Sequence, residues 1–159
     1  MSAHSSATVY TVGHSNHELD VFLDILREHD IQVVIDVRSS PYSHYVPQAN
    51  RETLARALQF AGIEYRWRGQ NLGGKPHGSV GDYDEIRESQ GFRDGLAELV
   101  DLVTDRKTTI MCSEGDHRKC HRHKLITPAL LEQDLRVVHI LPDGALLDEG
   151  EQVRQLPLL

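Results

Sequence analysis

The residue types best suited to covalent chemistry are concentrated in one segment, CSEGDHRKCHRHK, at positions 112–124. It contains both cysteines of the chain, four Lys or Arg and two acidic residues, which gives a local charge of +2. Cys112 ends the predicted strand TTIMC. A cysteine at a strand end before a loop and a helix lies where backbone N–H groups and the helix N-terminus favour a thiolate and can bind an anion. Cys112 is therefore the candidate nucleophile, with Glu114 and His121 as acid, base or orienting groups.

Other interpretations of the same segment stay open. Cys112, Cys120 and His121 could ligate zinc or iron, although C-x7-C-H is not a standard metal-knuckle spacing. The two cysteines could form a redox pair. Cys112 to Arg118 also spells C-x5-R, the anion cradle of tyrosine phosphatases and rhodaneses, which indicates a phosphatase-like or sulfurtransferase-like alternative. Finally, Cys112 could pack as a small hydrophobic residue at the end of a buried strand.

Two further polar segments each follow an apolar run. Asp36 stands at the end of IQVVIDV, where a carboxylate is costly unless it is paired, and Arg38 is a partner for it or an anion clamp. In VGHSN, His14 is a candidate base or ligand. Ser15 is a candidate binding residue, while Ser15 or Asn16 could instead cap a following helix.

The segment 68–90 holds five of the twelve glycines and is predicted as a long loop with one helical turn. Loops of this length are uncommon in compact domains unless they bind something. Asn71, Gly73 and Gly74, in the motif NLGG, are candidate ligand-binding residues because glycines let backbone N–H groups approach a ligand.

The elements that must position these segments follow from hydrophobic periodicity. Helices alternate with strands, which indicates one α/β domain over 1–159, with residues 1–7 flexible. The expected architecture is a mainly parallel sheet flanked by helices in three layers, Rossmann-like, whose strand ends at 13–16, 36–39 and 112–114 converge on one rim. The predicted strands are 8–12, 31–37, 63–67, 108–112 and 137–141, and the predicted helices are 18–29, 52–62, 92–105 and 120–133.

Charge is distributed unevenly along the 159 residues. The formal net charge is −7, yet segment 36–75 carries +3 and segment 112–124 carries +2, which leaves −12 elsewhere. This pattern favours a small anionic ligand at the rim and argues against broad nucleic-acid or anionic-membrane binding. The sequence shows no signal peptide and no apolar run of about 20 residues, so a cytoplasmic location is predicted; a homo-oligomer is compatible with it.

Together these segments resemble a bacterial and archaeal family catalogued as domain of unknown function 488. The resemblance rests on VGHSN, IDVRSSPYS, NLGG and MCSEGDHRKCHRHKLI, which stand in the family's order between Val9 and Ile140. It implies an α/β fold and supplies positions without a reaction. The matching positions are His14, Asp36, Arg38, Cys112, Glu114, Cys120, His121 and Arg122.

The sequence therefore predicts an enzyme, a cysteine-dependent hydrolase or transferase, acting on a small anionic substrate that is nucleotide-like or otherwise phosphorylated. Cys112 would be the nucleophile, Asp36 a further catalytic carboxylate, and Arg38 and Arg122 anion clamps, with Arg118 as another anion-binding candidate. Two alternatives are a metal-binding or redox-sensing module, whose cofactor would be a divalent metal, and a non-catalytic nucleotide-binding or partner-binding domain.

Overall fold

The computed structural model describes residues 7–74, 83–116, 118 and 125–149. The strands predicted from periodicity are confirmed to within two residues at each end. They are β1 (Thr8–Gly13), β2 (Val33–Asp36), β3 (Glu64–Trp67), β4 (Thr108–Cys112) and β5 (Arg136–Ile140), followed by β6 (Leu146–Asp148). The helices are α1 (Leu19–Glu28), α2 (Arg51–Phe60), α3 (Gly69–Leu72), α4 (Tyr83–Glu88), α5 (Gln90–Asp105) and α6 (Thr127–Glu132), and a 3-10 turn covers Pro47–Ala49.

The strands form one sheet in the order β3-β2-β4-β1-β5-β6. The pairs from β3 to β5 are parallel, and β6 is antiparallel to β5. Strands β2 and β4 are buried along their whole length, as expected of parallel strands that are covered on both faces. The predicted three-layer α/β fold is confirmed. Its Rossmann-like order is not, because β4 lies between β1 and β2, which are neighbours in the dinucleotide-binding order.

Each face of the sheet has its own hydrophobic core. On one face, called the α1 face, Val34 and Met111 pack with residues of α1 and α2 such as Leu26 and Leu54. On the opposite face, called the α5 face, strand residues such as Ile35 pack with α5 and α6. Successive strand residues point to opposite faces, so this assignment fixes the side on which each polar residue of a strand lies.

Segment 68–90 departs from the prediction of a loop with one helical turn. It contains α3 and α4, and α5 begins at its end, where the Ser89 hydroxyl oxygen accepts a hydrogen bond from the Phe92 N–H at 3.2 Å. Of the helix predicted over 120–133, the described part is α6, while 119–124 lie outside the described residues. No helix of the described ranges is long and apolar enough to cross a membrane.

Long-range contacts overturn the predicted helix cap in VGHSN. Helix α1 begins after Glu18, without a side-chain cap. Ser15 has a left-handed φ of 52°. Its N–H donates to the Ser113 carbonyl at 2.9 Å, so its backbone is bonded to the loop after β4. Asn50 does occupy the N-cap position of α2, but its Oδ1 accepts from the Ser43 N–H at 2.7 Å and fastens the preceding loop.

A series of buried hydrogen bonds links β1, β5 and the residue after β6. The Thr11 hydroxyl lies 2.6 Å from His139 Nδ1, and His139 Nε2 lies 2.7 Å from a carboxylate oxygen of Glu149. Because an unpaired polar group is costly in the interior, these contacts hold β1, β5 and the residue after β6 to one another. His139 therefore has a structural role.

The connections between strands create a crevice beside β4. The chain leaves β1 and β2 toward helices on the α1 face, whereas it leaves β4 toward α6 on the α5 face. In open α/β sheets, ligands bind beyond the carboxyl ends of strands where connections diverge to opposite faces. The carboxyl end of β4, with β1 and β2 beside it, is therefore the place where this fold positions a site.

Candidate functional site

The loops after β1, β2 and β4 meet at the carboxyl edge of the sheet, as predicted. The N–H groups of His14 and Ser15 donate to the carbonyls of Cys112 and Ser113, both at 2.9 Å. On the other side of β4, the Val37 N–H donates to the Met111 carbonyl at 3.0 Å. These bonds extend the strand pairing beyond the strands and hold the three loops in register.

Gly13 allows this close approach. A Cβ atom at Gly13 would lie 1.9 Å from the Glu114 carbonyl oxygen, a distance at which the two loops could not stay together. The glycine before His14 in VGHSN is therefore explained by packing against the loop after β4.

Asp36 and Arg38 form a buried ion pair at the end of β2. The Asp36 side chain is 0% exposed and that of Arg38 is 5% exposed. Arg38 donates from its backbone N–H and Nε to Asp36 Oδ1 at 3.1 and 2.9 Å, and from Nη2 to Oδ2 at 2.7 Å. Burial alone would lower the pKa of Arg38, but its hydrogen bonds to Asp36 and the charge of that carboxylate raise it, so the guanidinium stays charged.

His14 lies against this pair as a neutral imidazole. Its Nδ1 is 2.7 Å from the Ser15 carbonyl oxygen, which can only accept, so Nδ1 carries the proton. Its Nε2 then accepts from Arg38 Nη1 at 3.3 Å. Burial and the positive charge of Arg38 lower the pKa of His14 to about 4, so His14 orients the guanidinium without adding charge.

Strand β3 supplies two functional side chains that the sequence reasoning missed. The Tyr65 hydroxyl donates to Asp36 Oδ2 at 2.5 Å, and burial together with the charge of Asp36 raises the pKa of Tyr65 far above its usual range. The Trp67 indole N–H donates to the Arg38 carbonyl at 2.8 Å. The signal available in IEYRW was the alternation that puts Tyr65 and Trp67 on one face, but their partner depended on which strand lies beside β3.

Cys112 lies on the other face of the sheet from Asp36. Its side chain is 2% exposed and packs on the α5 face with residues such as Ile35 and Ile110. Its thiol is 3.7 Å from the Glu114 carbonyl oxygen, to which it donates. The register explains the separation: Asp36 pairs with Met111, and the side chain of the next residue, Cys112, points to the opposite face.

Glu114 and Arg118 are exposed residues of the loop after β4. A carboxylate oxygen of Glu114 accepts from the Asp116 N–H at 3.2 Å. Arg118 is 65% exposed and donates from its backbone N–H, Nε and Nη2 to Asp116, the same three bonds that Arg38 makes with Asp36. Arg118, the arginine of the C-x5-R pattern, is thus paired with Asp116 of the same loop.

The NLGG segment packs tightly beside Arg38. Asn71 donates from its amide to the Gly91 carbonyl at 2.9 Å, which joins α3 to α5. The Gly73 N–H donates to the Gly69 carbonyl at 3.0 Å, and a Cβ on Gly73 would lie 2.3 Å from the Ser39 hydroxyl oxygen. The geometry gives Asn71 and Gly73 packing roles, and the ligand-binding role proposed for them and for Gly74 stays a prediction.

The metal hypothesis concerns residues of which only one is described. Within the described ranges, no group of three His, Cys, Asp or Glu side chains is arranged to hold a metal ion. Cys120, His121 and Arg122 lie outside the described residues. The metal set Cys112, Cys120 and His121, and the clamp role of Arg122, stay predictions.

Fold and site together define a three-layer α/β protein with a buried Asp–Arg–His cluster at the carboxyl edge of a mainly parallel sheet. A family model described as Domain of unknown function DUF488 matches residues 18–127, more than half of the chain, and the protein belongs to this family. The matched span includes Asp36, Arg38, Cys112 and Glu114, and it begins after His14. No curated protein and no solved structure matches the chain.

We expect the two Asp–Arg pairs to differ in energetic coupling, since one is buried and the other is exposed. Replacing Arg38 by Met leaves Asp36 buried without its cation and should cost about 3–5 kcal/mol of unfolding free energy. A double-mutant cycle of Asp36→Asn and Arg38→Met in urea denaturation should give a clear coupling energy. The matched cycle of Asp116→Asn and Arg118→Met should give none that is measurable, and equal couplings would contradict this view.

The lowered pKa of His14 predicts a stability that depends on pH. The unfolded chain protonates this histidine near 6.5, whereas the folded protein resists protonation down to about 4. The contribution of His14 is therefore present above pH 6.5 and is lost as the pH falls toward 4. The difference in unfolding free energy between wild type and His14→Gln should grow as pH rises across this window. A His14 imidazole resonance that titrates near 6.5 would show that the histidine is not held neutral.

The placement of Cys112 predicts slow alkylation. With Cys120→Ser as background, iodoacetamide should label Cys112 in the native protein at least tenfold more slowly than in urea, because the thiol is 2% exposed. The nucleophile hypothesis predicts instead that Cys112 reacts rapidly in the native protein. In the wild type, iodoacetamide would then label Cys112 well before Cys120. Mass spectrometry of the two peptides over time distinguishes these outcomes.

Proposed function

We propose that the protein is an enzyme whose small anionic substrate binds at the carboxyl edge beside β4, through the guanidinium of Arg38. The observation that carries this proposal is the set of hydrogen bonds around Arg38. Three of its five side-chain N–H groups are used by Asp36 and His14. The Tyr65 hydroxyl also hydrogen-bonds the guanidinium, so in the described part of the chain one N–H remains without an assigned acceptor, and such a donor suits an oxygen anion.

The surroundings of Arg38 support a small and specific ligand group. Asp36 holds the guanidinium in one orientation, while His14 and Trp67 fix its far end and its backbone. A donor that is already oriented loses little conformational entropy when it binds. Because only 5% of the side chain is exposed, the group that reaches it must be of the size of a phosphate or a carboxylate.

The reacting groups are a separate part of the proposal. Glu114 is an exposed carboxylate on the same edge and serves as the candidate acid or base. The nucleophile role predicted for Cys112 from the sequence stays a prediction. The labelling experiment tests it, because the buried thiol lies on the opposite face of the sheet from Arg38.

Titration calorimetry with inorganic phosphate tests the anion site. Arg38→Lys keeps a cation beside Asp36 but removes the planar fork, so it should weaken phosphate binding at least tenfold while circular dichroism stays unchanged. Arg118→Lys is the matched control, because Arg118 makes the same bonds to Asp116 at an exposed position.

We expect Arg118→Lys to change the dissociation constant by less than twofold. If Arg118→Lys abolishes binding and Arg38→Lys does not, the anion lies at the C-x5-R loop and the proposal for Arg38 is wrong. If neither variant changes phosphate binding, the anion site is elsewhere.

A further inference from the structure

We propose that the substrate carries an aromatic ring as well as its anionic group, and that Tyr45 is the surface on which this ring stacks. This inference rests on the proposed anion site at Arg38, and it narrows the substrate class to aromatic phosphates such as nucleoside monophosphates. Tyrosine rings stack on nucleobases of every type because each base presents a π face.

Tyr45 is displayed on the loop that follows Arg38 directly. Its side chain is 96% exposed, in the connection between β2 and α2. Tyr45 is seven positions after Arg38 in the chain, so the two lie at most about 25 Å apart. The two ends of this loop are held together, since the Arg51 N–H donates to the Pro41 carbonyl at 3.0 Å.

The backbone under Tyr45 is held in place, so the exposed ring is presented on an ordered support. The Ser43 hydroxyl oxygen accepts from the N–H groups of Tyr45 and Val46 at 3.1 and 3.2 Å. The Ser43 N–H itself donates to the side chain of Asn50 at 2.7 Å. An aromatic side chain on a fixed backbone loses little entropy when a ring stacks on it, which is a property of recognition surfaces.

A second observation indicates a ligand between this loop and the loop after β1. The two loops are joined by the Gln48 amide, which donates to the His17 carbonyl at 2.9 Å, and by the contact of His14 with Arg38. In the described ranges, His17 Nε2 is buried and has no hydrogen-bond partner. A buried ring nitrogen of this kind is costly, and a hydroxyl or anion oxygen of a bound substrate would satisfy it.

The chain offers a matched control in Phe60, which is 95% exposed. Phe60 is the last residue of α2, and α2 runs from the carboxyl end of β2 back to the amino end of β3. It therefore lies at the opposite edge of the sheet from the Arg38 site. A general effect of removing an exposed aromatic ring would appear equally at Tyr45 and Phe60.

The experiment compares dissociation constants for ribose 5-phosphate, phenyl phosphate and adenosine 5′-monophosphate by calorimetry. In the wild type, the monophosphate with a nucleobase should bind about tenfold more tightly than ribose 5-phosphate. Tyr45→Ala should remove that advantage, while Tyr45→Phe and Phe60→Ala keep it. An equal gain for phenyl phosphate would show that any aromatic ring is accepted, and a gain for the nucleotide alone would identify the base as the recognised group.

The stacking proposal is overturned if the nucleotide has no advantage, if Tyr45→Ala retains it, or if Phe60→Ala also removes it. Failure of the anion site is distinguishable, because it shows as phosphate binding that is insensitive to Arg38→Lys. If Arg38→Lys weakens the binding of inorganic phosphate but Tyr45→Ala leaves the advantage of the nucleotide unchanged, the proposed function stands and only the stacking site at Tyr45 is wrong. Absence of binding of all these compounds to the wild type overturns both proposals.

Discussion

The buried ion pair between Asp36 and Arg38 is the interaction on which the organisation of the site depends. Burying either charge without the other would carry a large desolvation penalty. The pair offsets this penalty, and the carboxylate oxygens also accept hydrogen bonds from the Tyr65 hydroxyl and the Arg38 backbone N–H. Burial and the positive charge of Arg38 together lower the pKa of His14 and keep it neutral, since a second cation in this buried place would be unfavourable. The buried charge pair thus contributes to the neutral form of His14 and fixes the contacts of Tyr65, while the Ser15 carbonyl selects the His14 tautomer.

The position of β4 decides which residues share the site. Because β4 lies between β1 and β2, the loops that carry His14 and Arg38 flank its carboxyl end and can touch across it. The same arrangement directs Asp36 and Cys112 to opposite faces of the sheet. The proposed anion site at Arg38 and the cysteine therefore lie along the same edge of the sheet but on opposite faces, so experiments can test the two separately.

Much of the fold follows from local patterns, and so does part of the site. The apolar runs in IQVVIDV and TTIMC predict buried strands, and a carboxylate at the end of one predicts a partner such as Arg38. Tyr65 and Trp67 could not be assigned, because their role depends on β3 lying beside β2. The cap predicted at Ser15 or Asn16 was wrong because α1 begins only after Glu18. The segment before it is held instead by the bond from the Ser15 N–H to the carbonyl of Ser113, 98 positions away in the chain.

The sequence by itself determined the α/β class, the five parallel strands and the family, and it identified Arg38 as a candidate partner of Asp36, because each depends on residues close in the chain or on motifs that stand in the family's order. The tertiary structure alone decided that His14 is neutral, that Tyr65 and Trp67 complete the cluster, and that Cys112 lies on the other face. These properties depend on burial and on strand register. Both arise only when distant segments pack together, so periodicity along the chain cannot supply them.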